Sequence, residues 1–209
     1  VLVFDGMRFD TWDAVVKPLL AESFEIEDAP YFCVLPSYTE FARTGLLAGA
    51  LPTEWKGFKG TFSGSESQLF AVNMGLNAQE AKSKLRFVTE ADTTKVRAKL
   101  NFADKDPPLL NVLIYPISDD ACHEFGGDLA NFNNKIRADV VGNKNDGVRG
   151  ILDDLLKRIA PQDSVLLSSD HGFVELLSSD AAPVSKAEAD KVNVTLEANV
   201  RWRYIDGFP

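Results

Sequence analysis

The sequence predicts an α/β fold in which a mostly parallel central sheet is covered by helices on both faces. Short runs of apolar β-formers alternate along the chain with segments whose apolar residues have helical spacing. The apolar runs are continuous instead of alternating with polar residues, which is typical of strands buried on both faces. Several of these runs end directly in Asp, His or Gly. Strands alternating with helices in this way indicate βαβ units.

Six apolar runs are candidates for the strands. The first ends at Asp5-Gly6, the second is broken by Pro36, and the fifth continues into Ser168-Ser169-Asp170. Residues 109–117 give the strongest strand signal in the middle of the chain. The candidate strands cover residues 1–4, 31–35, 85–88, 109–117, 165–167 and 200–205.

Helical spacing connects these runs. In the first helix Trp12, Val15 and Leu19 share one face, and Gly49 ends the second helix. The predicted helices cover residues 11–20, 39–47, 78–84, 129–141 and 148–160. Residues 55–67, 96–108 and 178–193 are rich in polar and turn-forming residues, and we expect loops there.

Composition limits the class of protein. The 209 residues are 45% apolar and 25% charged, which is ordinary globular usage. No run approaches the roughly 18 apolar residues of a membrane span. We expect one domain over residues 1–209, excerpted from a longer protein because Val1 lies directly in an apolar run. Cys33 and Cys122 form no disulfide framework, which favours a cytoplasmic protein.

The charge balance restricts nucleic-acid binding. Lys and Arg number 22 and Asp and Glu number 31, so the net charge is −9. This charge argues against a protein that coats nucleic acid through phosphate neutralisation alone. An enzyme that binds phosphate through metal ions remains compatible with it.

Three of the apolar runs end in polar clusters, which are Asp5, residues 119–123 and Asp170-His171. Ligands of open α/β sheets bind outside the carboxyl ends of the strands, so we expect the three clusters to meet. One Asp after a strand is usually a turn residue or a helix cap, but three such clusters together favour a metal site. Carboxylates and imidazoles suit Zn²⁺, and Mn²⁺ fits less well.

Thr39 stands at the start of the second predicted helix, after Pro36-Ser37-Tyr38. Free amides and the helix dipole favour an anion at that position. Metal coordination is one means of activating a hydroxyl as a nucleophile. On local sequence alone, an ordinary N-cap threonine is the favoured interpretation.

These segments resemble PglZ-domain proteins, members of the alkaline phosphatase superfamily of metal-dependent phosphatases, phosphodiesterases, phosphomutases and sulfatases. The resemblance rests on Val-Leu-Val-Phe-Asp5-Gly, on Pro-Ser-Tyr-Thr39-Glu-Phe-Ala-Arg-Thr-Gly and on Leu-Leu-Ser-Ser-Asp170-His171-Gly172-Phe. It implies an alkaline-phosphatase-like three-layer sandwich. It also implies that Asp5, Asp170 and His171 bind one metal, and that Thr39 is the nucleophile and touches that metal.

The resemblance further implies a second metal held by Asp119 and His123, with Asp120 as a less well spaced alternative to Asp119. The superfamily supplies a third ligand to this metal, usually a late histidine, but no histidine follows His171. That ligand lies beyond Pro209, or is another residue type, or the second site is weak. The implied cofactor is one or two Zn²⁺ ions, with Mn²⁺ or Mg²⁺ as alternatives.

The implied function is metal-dependent hydrolysis of phosphate mono- or diesters. The substrate would be a phosphate ester such as a nucleotide or a nucleic acid. The resemblance places the domain in a bacterial phage-resistance (BREX/Pgl-type) or signalling protein. Arg8 and Arg43 are near enough in sequence to the motifs to contact phosphate, and an ordinary surface or ion-paired role fits each of them equally well. The alternative is a weakly active or inactive domain that binds other proteins of a phage-defence complex. We expect no membrane partner. A phosphatase using Asp5 as the nucleophile is disfavoured because Met7 occupies the position of the second Asp.

Overall fold

Four parallel strands form a single sheet at the centre of the computed structural model, which describes residues 1–34, 37, 39–51, 66–101, 108–125, 128–141, 147–160 and 163–173. The strands are β1 (Leu2–Phe4), β2 (Leu85–Thr89), β3 (Leu110–Tyr115) and β4 (Leu167–Ser169). They are arranged in the order β2-β3-β1-β4. The predicted parallel sheet is therefore confirmed.

Helices connect and cover the strands. Between β1 and β2 the chain forms α1 (Phe9–Thr11), a π-helical turn (Trp12–Val16), α2 (Lys17–Leu20), α3 (Thr39–Ala48), α4 (Glu66–Asn73) and α5 (Ala78–Lys84). After β2 the elements are α6 (Thr93–Leu100), β3, α7 (Ile117–Phe125), α8 (Leu129–Val141), α9 (Gly147–Leu156) and β4. None of these helices combines the length and apolar character that crossing a bilayer requires.

The two faces of the sheet pack against different helices. Successive side chains of a strand point to opposite faces. Accordingly Leu2 and Phe4 join a cluster with residues of the π-helical turn, α6, α7, α8 and α9. Val3 and Ile114 join a second cluster with Leu47 of α3 and Phe70 of α4. Helices therefore cover both faces, as the continuous apolar runs predict.

The strand register brings the strand ends to one edge of the sheet. Phe4, the last residue of β1, pairs with Tyr115 of β3 on one side and with Ser169 of β4 on the other. The amide of Asp5 then donates a hydrogen bond of 3.1 Å to the carbonyl oxygen of Tyr115. Because β1 lies between β3 and β4, the segments that follow all three strands emerge side by side.

One predicted strand is wrong, and another is shifted. Residues 31–34 form no strand, and both Tyr31 and Phe32 are exposed. Aromatic and β-branched composition favours a strand only where a pleated, half-buried surface receives it. The predicted strand 165–167 is observed at Leu167–Ser169, so it extends further into the polar motif.

The helical predictions are correct in type but differ at several boundaries. Residues 39–47, 78–84 and 129–141 are helical, whereas the helix predicted over 148–160 ends at Leu156. The helix predicted from residue 11 begins at Phe9 and contains the π-helical turn. That turn ends just before Pro18, which has no N–H for the regular helical ladder.

Two predicted loops overlap helices. Residues 96–108 were expected to be irregular, but α6 covers Thr93–Leu100, and Val96 and Leu100 are buried. The loop expected over 55–67 meets α4, which begins at Glu66. The remainder of that loop, the polar segment 178–193 and the strand expected over 200–205 lie outside the described residues.

Candidate metal centre

Asp5, Asp170 and His171 converge at the carboxyl edge of the sheet. Asp5 follows β1, and Asp170 and His171 follow the neighbouring strand β4. The Nε2 atom of His171 lies 3.3 Å from Oδ1 of Asp5 and 3.9 Å from Oδ1 of Asp170. One potential ligand atom from each residue lies within 4.8 Å of the other two. Residues 165 positions apart in sequence thus share one small volume.

The turn after β1 fixes the orientation of the two residues from β4. Gly6 has φ +74°, and its amide donates to Oδ1 of Asp170 at 3.0 Å. The amide of His171 donates to the same oxygen at 2.9 Å. A Cβ atom on Gly6 would lie 3.2 Å from Cε1 of His171, so glycine leaves room for the imidazole as well as permitting the positive φ.

Thr39, the first residue of α3, places its hydroxyl against this cluster. Its Oγ1 lies 3.0 Å from Nε2 of His171 and donates to Oδ1 of Asp5 at 3.4 Å. Because Thr39 begins α3, the positive end of the helix dipole lies close to the same point. The structure therefore brings the predicted nucleophile and the three predicted ligands of the first metal together.

Arg43 lies one helical turn after Thr39 and bridges three acids. Its Nη1 is 2.5 Å from Oδ2 of Asp5 and 3.8 Å from Oδ2 of Asp170, and its Nε is 2.6 Å from Oε1 of Glu66. The guanidinium therefore offsets part of the negative charge of the two aspartates. Arg8, the other predicted phosphate contact, is paired with Asp10.

The three clustered residues have shifted pKa values. Burial, followed by the nearby charge of Asp5, raises the pKa of Asp170 to about 6. Burial would lower the pKa of His171, but the hydrogen bond with Asp5 and the charge of Asp170 outweigh it and raise that pKa to about 9. Burial would raise the pKa of Asp5, but hydrogen bonds from His171 and Arg43 hold it below its usual range.

This donor set fits a divalent cation. Oδ2 of Asp170 is buried and has no hydrogen-bond partner among the described residues. A buried carboxylate oxygen without a partner carries a substantial desolvation penalty. Two carboxylates and one imidazole, with ligand atoms already this close, match the ligands that Zn²⁺ takes in proteins. Arg43 is 3.8 Å from this oxygen, which is an ion pair but not a hydrogen bond, and a divalent cation between the three residues would contact the oxygen directly.

The predicted ligands of a second metal, Asp119 and His123, lie on one face of α7. Nε2 of His123 is 3.1 Å from Oδ2 of Asp119, and the imidazole is largely exposed. A Cβ built on Gly6 would lie 3.8 Å from the Cα of Asp119, so the start of α7 adjoins the first cluster. Asp120 is exposed. In the described part of the chain, no third metal-binding side chain joins this pair.

Two residues near the cluster, Ser118 and Glu66, were not identified from the sequence. Ser118 is buried and its hydroxyl donates to the carbonyl oxygen of Asp5 at 2.5 Å. Its position beside Asp119 was the available signal. Glu66, the partner of Arg43, had no such signal because it lay within a predicted loop.

Comparison with known families agrees with the geometry. Residues 1–104 match the family model described as the BREX system PglZ alkaline phosphatase-like domain. The matched part includes Asp5, Thr39 and Arg43 and ends before α7 and β4. No curated protein matches the chain significantly. Through residues 1–104, the chain belongs to the PglZ family of alkaline phosphatase-like domains, as its motifs predict.

Proposed function

We propose that this phosphatase-like domain hydrolyses phosphate mono- or diesters with Thr39 as the nucleophile and a divalent cation held by Asp5, Asp170 and His171. The observation that carries the proposal is the position of the Thr39 hydroxyl, 3.0 Å from Nε2 of His171 and 3.4 Å from Oδ1 of Asp5. Membership of an alkaline phosphatase-like family supports this reaction class.

The cation would be Zn²⁺ or a similar divalent ion, since the donors are two carboxylates and an imidazole. When bound, it lowers the pKa of an adjacent hydroxyl and neutralises charge on phosphoryl oxygens. Asp170 would contribute its Oδ2, which accepts no hydrogen bond from the described residues, and its Oδ1 would stay fixed by the amides of Gly6 and His171.

The other steps of the reaction would be carried out by residues of the chain. Oγ1 of Thr39 attacks phosphorus as its proton leaves to solvent, and the bond from phosphorus to the leaving oxygen breaks. The leaving oxygen takes a proton from solvent and departs as an alcohol. With a monoester the intermediate is a phosphothreonine, and water hydrolyses it to restore the hydroxyl and release phosphate. With a diester the intermediate keeps the second ester group, and water releases a phosphomonoester. α3 begins at Thr39, so the positive end of its helix dipole favours an anionic phosphoryl group at this point. The Arg43 guanidinium lies within the same charge cluster and limits repulsion between the aspartates and the anionic substrate.

Asp119 and His123 would form a weaker second site beside the first. Their side chains are already 3.1 Å apart, but they supply two ligands, whereas a tightly bound zinc ion usually has three protein ligands or more. From the described part of the chain, we therefore expect one cation to bind tightly and a second to bind weakly.

A test of the nucleophile compares Thr39→Ala with Thr39→Ser on nitrophenyl phosphate mono- and diesters in the presence of zinc. We expect Thr39→Ala to lower kcat by at least a hundredfold, because no other group replaces the attacking oxygen. Thr39→Ser should retain measurable turnover and form a phosphoserine detectable by mass spectrometry.

The matched control is Thr94→Ala, which removes an exposed hydroxyl from α6. It should leave kcat and KM unchanged. Full activity in the Thr39→Ala variant would remove Thr39 as the nucleophile.

A second candidate function is a binding component of a phage-defence complex with little or no catalysis. The observation that favours it is the two-ligand pair of Asp119 and His123, which leaves a two-metal reaction incomplete in the described part of the chain. Zinc content separates the candidates. A purified chain that neither contains zinc nor takes it up would support the binding role.

A further inference from the structure

A groove of about 280 Å³ lies beside the candidate metal centre. One side consists of residues of α3 and the segment that follows it, and the other consists of residues 31–34. This volume is slightly below the roughly 300–1,000 Å³ of most small-molecule pockets, so it suits one ring system better than a long chain. The lining residues are Tyr31, Phe32, Cys33, Val34, Ala42, Gly45, Leu46, Gly49, Ala50, Leu51 and Asp170.

The groove is continuous with the centre where phosphoryl transfer is proposed. Ala42, Gly45, Leu46 and Gly49 recur at the spacing of one helix face, and Thr39 lies at the N-terminal end of that face. Ala42 is three residues from Thr39, or about 4.5 Å along the helix axis. Asp170 belongs to both the groove and the cluster of potential metal ligands.

Tyr31 provides the groove with an exposed ring in a fixed position. Its hydroxyl accepts a hydrogen bond from the amide of Ser169 at 3.1 Å and lies 2.8 Å from Oγ of Ser168. It also donates to the carbonyl oxygen of Ser169. Despite these anchors on β4, 56% of the residue remains exposed. An exposed flat ring that is already anchored can stack on another ring at little entropic cost.

The charge of the groove selects the kind of occupant. Asp170 is the single charged side chain among the described lining residues, and the others are apolar or uncharged. Arg43 lies beside the groove, 3.8 Å from Oδ2 of Asp170, but it is paired with Asp5 and Glu66, so the described lining offers a second phosphate no cation of its own. The net charge of −9 likewise disfavours a long polyanion. Gly45 lets α3 lie close to Val34, since a Cβ atom at position 45 would be 3.4 Å from both methyl groups of that valine. This close approach keeps the groove narrow.

We propose that the groove binds the nucleobase of a nucleotide ester, stacked on Tyr31, while the attached phosphoryl group lies at Thr39. This inference rests on the proposed function and narrows its substrate class to nucleotides. The occupant is a mononucleotide or the end of a single strand, since base stacking is tolerant of base identity and a duplex would keep its bases paired.

The test measures binding by calorimetry to the zinc-loaded 209-residue chain carrying Thr39→Ala, so that the phosphate esters are not hydrolysed during the measurement. The ligands are adenosine monophosphate and ribose 5-phosphate, which share the phosphate and sugar and differ in the base. We expect the nucleotide to bind about 5- to 150-fold more tightly, the range that one stacked base provides. Equal affinities would overturn the inference without any change to the groove.

Variants then locate the stacking ring. Tyr31→Leu keeps apolar bulk but removes the flat ring, and it should abolish most of the preference for the nucleotide. Tyr31→Phe keeps the ring and should retain more of the preference than Tyr31→Leu. The matched control Phe9→Leu removes another exposed aromatic, 48% accessible and outside the groove, and should leave the ratio of affinities unchanged. A preference that survives Tyr31→Leu would contradict stacking on Tyr31.

Two simpler ligands separate this inference from the proposed function. Inorganic phosphate reports on the metal centre alone, and adenosine reports on the groove alone by saturation-transfer NMR. If phosphate binds but the base adds nothing, the groove is assigned wrongly and the proposed function stands. If adenosine binds in a Tyr31-dependent way but neither inorganic phosphate nor ribose 5-phosphate binds, the assignment of the groove stands and the assignment of the phosphoryl-transfer centre is wrong. If phenyl phosphate binds as tightly as the nucleotide, the inference is overturned, because the groove then accepts a small aromatic ester and does not recognise a nucleobase.

Discussion

At the scale of single residues, Asp170 is the group whose environment demands a partner. Two backbone amides donate to its Oδ1, whereas Oδ2 is buried without a hydrogen bond among the described residues. Burial and the adjacent Asp5 raise its pKa to about 6, so the site resists the charge that this residue carries at neutral pH. A divalent cation reverses that balance because it attracts both carboxylates.

We predict that zinc stabilises the chain and that Asp170→Asn removes most of this effect. At a free zinc concentration 100 times its Kd, binding adds about 2.7 kcal/mol to the free energy of unfolding. Asn keeps the oxygen that accepts from Gly6 and His171 but loses the charged ligand atom, so the variant should gain far less. Thermal unfolding with zinc and with a chelator measures both values.

The exposed Asp13, replaced by Asn, is the control and should leave the zinc effect intact. Equal stabilisation of the wild type and Asp170→Asn by zinc would show that this carboxylate is not a ligand.

Sequence reasoning could select Asp5, Asp170, His171 and Thr39 because each stands where a strand ends or a helix begins. Their proximity then follows from parallel pairing, which places the ends of β1 and β4 side by side. Glu66 could not be selected, since only tertiary packing brings the start of α4 to Arg43. Their assigned roles in catalysis and metal binding remain predictions.

At the scale of elements, the helix α6 shows the limit of periodicity. Its apolar residues facing the core are Val96 and Leu100, a single pair at i and i+4, and Thr93 and Thr94 have modest helix propensity. The pattern was therefore too sparse to distinguish a helix from a loop. What defines the helix is its N-cap, because the Asp92 side chain accepts from the amides of Thr94 and Lys95.

We predict that Asp92→Ala lowers the free energy of unfolding by about 1 kcal/mol, since it leaves two amides of the first turn without their acceptor. Asp92→Asn should retain most of the stability, because the amide oxygen can still cap the helix. Urea unfolding followed by circular dichroism measures the difference. If Asp92→Ala and Asp92→Asn proved equally stable, the cap would contribute nothing.

Residues 31–34 illustrate the opposite error at the same scale. Their aromatic and apolar composition predicts a buried strand, yet Tyr31 contacts β4 through its hydroxyl instead of by backbone pairing. The composition of this segment shows that its side chains are apolar, but it does not indicate whether they face the core or a groove. The exposed aromatic rings are compatible with the nucleobase groove that we propose.

At the scale of the whole molecule, the partly buried carboxylate of Asp139 connects the sheet to two of the helices that cover it. Oδ2 of Asp139 on α8 accepts from the Tyr115 hydroxyl on β3 and from the amide of Val148 on α9, both at 3.4 Å. Burial raises the pKa of Asp139 above its ordinary value. Because this carboxylate lies between three elements, its pKa depends on how those elements pack against one another.

We predict that Asp139→Asn becomes increasingly stabilising, relative to the wild type, as pH rises from 4 to 7. A carboxyl whose pKa is raised by folding stabilises the native state in its protonated form, and that contribution is lost as pH rises through the native pKa. Asn has no such loss and retains an oxygen for Tyr115 and Val148. Urea unfolding of both proteins across this pH range gives the difference. A difference that is constant with pH would contradict the raised pKa.

The general architecture followed from sequence because continuous apolar runs and intervening helices have one efficient arrangement, a parallel sheet with helices on both faces. Strand order did not follow, since β4 is last in sequence yet pairs with β1, the first strand. Only that long-range pairing brings Asp170 and His171 to Asp5.

The most direct measurement is anomalous diffraction at the zinc absorption edge from crystals of the zinc-loaded chain. The account predicts a peak about 2.0–2.2 Å from oxygen atoms of Asp5 and Asp170 and from Nε2 of His171, the distances typical of zinc ligands, with Oγ1 of Thr39 adjoining it. A zinc peak elsewhere in the molecule, with none among these three residues, would contradict the account.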